Sequence, residues 1–162
     1  MENKNDQIRE EVLQAVEGLT DEQLNEELEK GRWTIMQVLD HLYLMERVVT
    51  SSITEQLAEG EHRRVSDKPI QLTVDRSTKV EAPSFVEPSK AFITLADMKE
   101  KLAQSRQALH QIADEADDNM LEHRAYPHPA FGELSLKQWI PFIGYHEKRH
   151  LEQIEELKKH LQ

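Results

Sequence analysis

The stretch "GRWTIMQVLDHLYLMERVVTSSITEQLAEG", residues 31–60, decides the class of fold. Ile35, Leu39, Leu42, Val49 and Ile53 recur at helical spacing and form one stripe. Val38, His41, Met45 and Val48 form a second stripe beside it. A helix with two adjoining apolar stripes packs against two neighbours, as in a bundle. Thr34 suits the N-cap, and Trp33 before it suits a hydrophobic staple. One member of the second stripe is a histidine, so an imidazole is directed inward.

The flanking segments supply the partners. Ile8, Val12, Ala15, Val16 and Leu19 mark a first helix that ends around Gly18. In "TDEQLNEEL", Thr20 with Gln23 three residues on is a capping-box signature for a short helix or turn. Residues 61–93 break the helical pattern: Ile70, Leu72 and Val74 alternate, and prolines follow at 83 and 88. This reads as a long, partly extended crossover, long enough to run the length of a bundle and leave the helices on either side parallel. Leu95, Met98, Leu102, Ser105, Leu109, Ile112 and Ala116 mark the next helix, which frays into "DEADDNM". "YPHPAFGEL" reads as an irregular loop, Ser135 caps the last helix, and Pro141 bends that helix or delays its start. The sum is an all-α four-helix bundle, one domain over residues 1–162.

Composition narrows the function. Acidic residues outnumber basic ones 31 to 20, a formal charge of −11, which repels phosphate backbones and makes nucleic acid a poor partner. No basic amphipathic stretch suits an anionic membrane, and the apolar runs are far too short to span one. The charged start "MENKNDQIREE" has no apolar core of a signal peptide, so a cytoplasmic location is expected. There is no cysteine, so disulfides and thiolate nucleophiles of the chain itself are excluded. Thiol chemistry would require the thiol to arrive on a substrate.

The inward stripe of the last helix is Leu136, Trp139, Ile143, His146, His150, Ile154, Leu157 and Leu161. His146 and His150 belong to an H-E-x-x-H pattern and lie on one face of adjacent turns, where two imidazoles can share one ion. A zinc protease needs a further protein ligand beyond this helix and Glu147 as general base. Only twelve residues follow His150, all on the same helix, so the third ligand must come from upstream. His41 is the best candidate. Three imidazoles leave open positions on an ion and suit zinc, nickel, copper or iron. The blander reading makes all three hydrogen-bonded core histidines. Glu147, about 100° round the helix from His146, is either an acceptor behind a ligand or a solvated residue.

"GRWTIMQVLDHL" followed by "HPAFGELSLKQWIPFIGYHEKRHLEQI" resembles the DinB/YfiT-like superfamily of bacterial four-helix-bundle metalloproteins. The resemblance covers most of the chain. It implies an up-down-down-up bundle with a long crossover between the second and third helices, and a homodimer. It also implies a divalent ion, zinc or nickel, on His41, His146 and His150. For activity it implies thiol-dependent S-transfer or isomerisation with a low-molecular-weight thiol such as bacillithiol, acting on a small molecule. Metal-dependent hydrolysis with Glu147 as base is the rival enzymatic reading, and a non-enzymatic metal- or ligand-binding protein is the other.

The remaining candidates are weighed against ordinary roles. His128 either lines the mouth of the site or stabilises its turn. His62, His110, His123 and His160 lie in polar surroundings and are expected to be solvated. Tyr43, Tyr145 and Arg149 neighbour the ligands in sequence but point elsewhere. Trp33 and Trp139 are expected to pack the core.

Overall fold

Hydroxyl caps set the helix starts. In a computed structural model, Thr20 accepts from the Gln23 backbone and the Gln23 side chain accepts from Thr20, opening the one-turn helix α2 (Asp21–Leu24). The same reciprocal pair, Thr34 with Gln37, opens α3 (Ile35–Glu59). Thr94 opens α4 (Leu95–Glu115), and Ser135 opens α6 (Leu136–Lys158). Helix α1 spans Lys4–Val16. The structure describes residues 4–77 and 83–161. Residues 78–82 of the expected crossover lie outside these, as do the ends 1–3 and 162 of the expected domain.

Side-chain pairs fix the direction of each long helix. Asn5 donates to the Ile140 carbonyl and Arg9 pairs with Glu147, so α1 and α6 run parallel. Asp6 pairs with Arg106 while Arg9 donates to the Leu102 carbonyl, so α4 runs against α1. Lys101 lies over the Tyr43 ring and Arg106 pairs with Glu46, so α3 and α4 are parallel. The result is the up-down-down-up bundle. At Gly144 a Cβ would come within 2.4 Å of the Asn5 Oδ1 and 3.2 Å of the Ile8 Cδ1, so α1 and α6 touch backbone to side chain there. Among the described residues two apolar clusters fill the interior, one around Leu39, Met98 and Ile154, the other around Ile53, Leu109 and Ile143.

Four local expectations change. Ile70–Val74 forms a 3₁₀ turn rather than an extended segment: Pro69 leads into it, Ile70 is buried, and Leu72 faces solvent. No strand lies beside it, since the sheet among the described residues is β1–β2 alone. "DEADDNM" does not fray. Asp117 caps a second short helix, α5 (Asp118–Glu122). "YPHPAFGEL" is a hairpin, β1 (Ala125–His128) paired antiparallel with β2 (Gly132–Ser135), with Gly132 at φ +74 closing the turn. Pro141 does not delay α6, which starts at Leu136.

The crossover is tied down along its course. Lys68 and Gln138 exchange hydrogen bonds of 2.8 Å through the Lys68 backbone. Arg149 donates to the carbonyls of Thr73 and Asp75, and Arg76 forms a two-pronged pair with Glu156. A second 3₁₀ turn, Ser84–Val86, then lies against α3. Among the described residues no helix is long and apolar enough to cross a membrane.

Candidate metal centre

Helix α3 carries His41 and the antiparallel α6 carries His146 and His150, all turned to the same side of their shared interface. One ring nitrogen from each lies within 4.8 Å of the other two. His41 is 3% exposed and His146 is buried, while His150 is half-buried at the rim. Ring centroids are 4.6 to 4.9 Å apart across the three pairs.

Hydrogen bonds set the faces of two rings. The Nδ1–H of His41 donates to the Val86 carbonyl at 2.8 Å, because a carbonyl can only accept. In the neutral ring that leaves a lone pair on Nε2. Likewise the Nδ1–H of His150 donates to Gln153 Oε1 at 2.8 Å, oriented as an acceptor, and leaves its Nε2 free. The Nε2 of His41 faces the Nε2 of His146 at 3.1 Å. Two lone pairs at that distance repel unless a proton or a cation lies between them.

Burial keeps the rings neutral. It pushes His41 below its ordinary value against the opposing pull of the Val86 hydrogen bond and Asp40. It lowers His146 well below that range, with the charges of His150, His41 and Arg149 adding to the effect. His150 is pushed down to about 3 by burial first and His41 second. Neutral imidazole is the ligating form. Three neutral nitrogens, two of them oriented by acceptors behind the ring, fit a divalent transition-metal ion.

Trp33 does more than pack the core. Its ring centroid lies 5.0 Å from His41 and 6.5 Å from His150, nearly parallel to the latter, so it walls one side of the triad. Phe142 stands 5.7 Å from His146 on another side. Behind Phe142, His128 accepts from the backbone N–H groups of Ala130 and Phe131 through Nδ1. That is the turn-stabilising role, and burial pushes this ring down to about 4. Trp139 packs the core beside Phe142 and donates to the Tyr126 carbonyl.

Glu147 is neither solvated nor behind a ligand. It is 1% exposed, with one oxygen accepting from Arg9 Nε at 2.7 Å and the other from Arg9 and Arg106 at 3.0 and 2.6 Å. Arg9 and Arg106 also hold Glu46, which is fully buried and accepts from Ser105. Burial raises the Glu147 carboxyl against the pull of the two guanidiniums. This charge layer has one member from each long helix, and it was missed because charged residues ordinarily read as solvated. The signal was there for one of them: Glu46 fills the gap in the stripe between Leu42 and Val49, while Glu147 lies one turn after Ile143, beside the stripe that His146 continues.

The other histidines lie apart from the triad. His62 and His123 stack on each other at 4.7 Å, His110 pairs with Asp6, and His160 pairs with Glu29. Arg149 holds the crossover, and Tyr43 lies under Arg47 and Lys101.

An up-down-down-up four-helix bundle with an inward three-histidine cluster between its second and last long helices defines the class. The match to the family model described as the DinB superfamily runs over residues 4–154, and the chain belongs to that superfamily. It is 36% identical over 156 residues to YuaE of Bacillus subtilis (strain 168), an uncharacterized protein, covering 96% of each chain. Among solved structures it resembles the four-helix bundle protein TT2238, with a TM-score of 0.63 and 20% identity over 94% of each chain. It resembles YfiT from Bacillus subtilis equally, with a TM-score of 0.63 and 21% identity over 96% of this chain and 82% of that one. YfiT is described as a probable metal-dependent hydrolase with an unusual four-helix bundle topology.

Proposed function

We propose that this chain is a divalent-metal-dependent enzyme acting on small molecules, with His41, His146 and His150 holding the ion. The observation that carries the reading is the 3.1 Å approach of two imidazole Nε2 atoms, one of them committed by the Val86 carbonyl to presenting a lone pair. A bound divalent ion supplies Lewis acidity, which makes a thiol or a water a stronger nucleophile near neutral pH.

The residues around the triad favour a thiol over water. An ordinary thiol has a pKa of about 8.5, far below that of water, so a thiol needs far less help in losing its proton. Hydrolysis would draw on a general base, and the carboxylate nearest in sequence, Glu147, has both oxygens held by guanidiniums. Among the described residues, the group that can ligate is three histidines without a carboxylate. With no cysteine in the chain, the thiol would be a low-molecular-weight one brought from solution, and the acceptor a small electrophile. Trp33 and Phe142 would supply apolar walls for it.

Hydrolysis is the second reading, favoured by the description of YfiT. A thiol-and-electrophile panel run beside an ester and amide panel separates the two. The proposal expects stoichiometric zinc or nickel in the purified protein, none in His41→Ala, and turnover only when a thiol is added. Thiol-independent hydrolysis that is lost together with the metal in His41→Ala would replace it with the second reading.

A further inference from the structure

The second half of the crossover does not merely pass α3; it is bonded to the turn that carries His41. Asp40 Oδ2 accepts from the Ser89 backbone N–H at 2.9 Å, and His41 donates to the Val86 carbonyl at 2.8 Å. Gln37, one turn earlier, reaches the Ser89 carbonyl at 3.4 Å. Val86 is fully buried, so the His41 bond is shielded from water; Asp40 is 4% exposed and its bond is part-buried, since it reaches out to the exposed Ser89. Asp40 lies outside the ligating group. A buried carboxylate needs a donor, and here the donor comes from the crossover.

We propose that Asp40 is a positioning residue for the metal centre, and that docking of residues 86–89 and metal binding drive each other. This rests on the metal-binding reading above. The Val86 carbonyl bonds only the ring form with its proton on Nδ1, and that form presents the Nε2 lone pair to an ion. With the segment undocked, the proton of His41 distributes over both nitrogens and the ring loses its anchor. An ion on Nε2 selects the Nδ1–H form, and therefore selects the docked segment. Coupling of this kind is reciprocal: whatever docking adds to metal affinity, metal adds to docking. Asp40 acts at one remove. It seats Ser89, and Pro88, whose ring fixes the backbone beside it, passes that placement toward Val86.

The test uses zinc alone as probe, with affinity read by chelator competition and docking read by tryptic cleavage after the exposed Lys90. Asp40→Ala removes the acceptor. Ser89→Pro removes the same bond from the crossover side and leaves α3 untouched, while Asp40→Asn keeps an acceptor in place. Zinc affinity is expected to fall about 10-fold or more in Asp40→Ala and Ser89→Pro and to recover in Asp40→Asn. Zinc is expected to slow cleavage after Lys90 in the wild type and to lose that effect in the first two variants. Unchanged zinc affinity and unchanged protection in both, with far-UV helicity intact, would overturn the coupling while leaving the metal site standing. A wild type that takes up no zinc would remove the metal reading itself, and the coupling with it.

Discussion

At His41 a single hydrogen bond decides which nitrogen is free, and that decision reaches stability as well as chemistry. Without an ion, the two Nε2 atoms at 3.1 Å share a proton or repel. An ion that binds only the folded chain stabilises it, by about 2.7 kcal/mol when free ion stands 100-fold above Kd. Zinc is therefore expected to raise the thermal midpoint of the chelator-treated wild type and to leave His41→Ala unmoved, a comparison differential scanning fluorimetry makes directly. His128 carries a separate, pH-dependent signature. Its neutral Nδ1 accepts two backbone N–H groups, and burial holds the folded ring at about 4 against an ordinary 6.5. As pH falls from about 6.5 the unfolded chain takes up this proton first, so the stability that His128 contributes is complete above 6.5 and drains away toward 4. His128→Gln is expected to be less stable than wild type at pH 7.5, and the gap in urea midpoint is expected to narrow toward pH 4. A gap that stays constant with pH would show that this ring does not titrate as its burial requires. At this scale the sequence was legible where a polar residue interrupted an apolar stripe, as at His41, His146 and His150. It placed Trp33 in the core but not against two imidazoles, a contact that depends on how the chain enters α3.

At the scale of elements, the caps were legible because each is local: Thr20, Thr34 and Ser135 bond the backbone of their own first turns. The hairpin was not legible, because Pro127 and Pro129 in so short a stretch argue against a strand. Pro127 is tolerated because a two-stranded ribbon has only edges. The 3₁₀ turn at Ile70–Val74 was hidden for another reason: its apolar alternation ends where Leu72 turns to solvent. The close approach of α1 to α6 was also invisible, since a glycine within a helix does not announce what crosses it. Gly144→Ala makes this approach testable. Alanine raises intrinsic helix propensity by about 1 kcal/mol, but its Cβ would meet the Asn5 Oδ1 at 2.4 Å, and that oxygen belongs to a side chain already bonded to the Ile140 carbonyl. The clash is expected to win, with a net loss of about 1–3 kcal/mol in urea unfolding. Adding Asn5→Ala, which clears the space, is expected to recover much of that loss.

Across the whole molecule, the layer of Arg9, Glu46, Arg106 and Glu147 takes one residue from each of α1, α3, α4 and α6 and leaves none of the four exposed. Its charges balance, and its bonds run only between helices, so it records the up-down-down-up arrangement in a way that apolar contacts, which lack direction, cannot. Removing one member leaves an uncompensated buried charge. Arg9→Met is therefore expected to cost about 3–5 kcal/mol, far more than its loss of volume. Replacing all four by apolar residues of similar size (Arg9→Met, Glu46→Leu, Arg106→Met, Glu147→Leu) leaves no charge stranded, and Ser105 keeps its bond to the Leu102 carbonyl. That variant is expected to unfold at the same urea concentration as wild type or higher, since well-packed apolar replacements of buried ion pairs are often neutral or stabilising by about 1–4 kcal/mol. If the layer serves to hold α6 in register against α3, the same variant loses zinc affinity while keeping stability, because the triad depends on that register and the apolar core tolerates more than one. A fourfold variant less stable than Arg9→Met would show instead that the ion pairs themselves hold the bundle together.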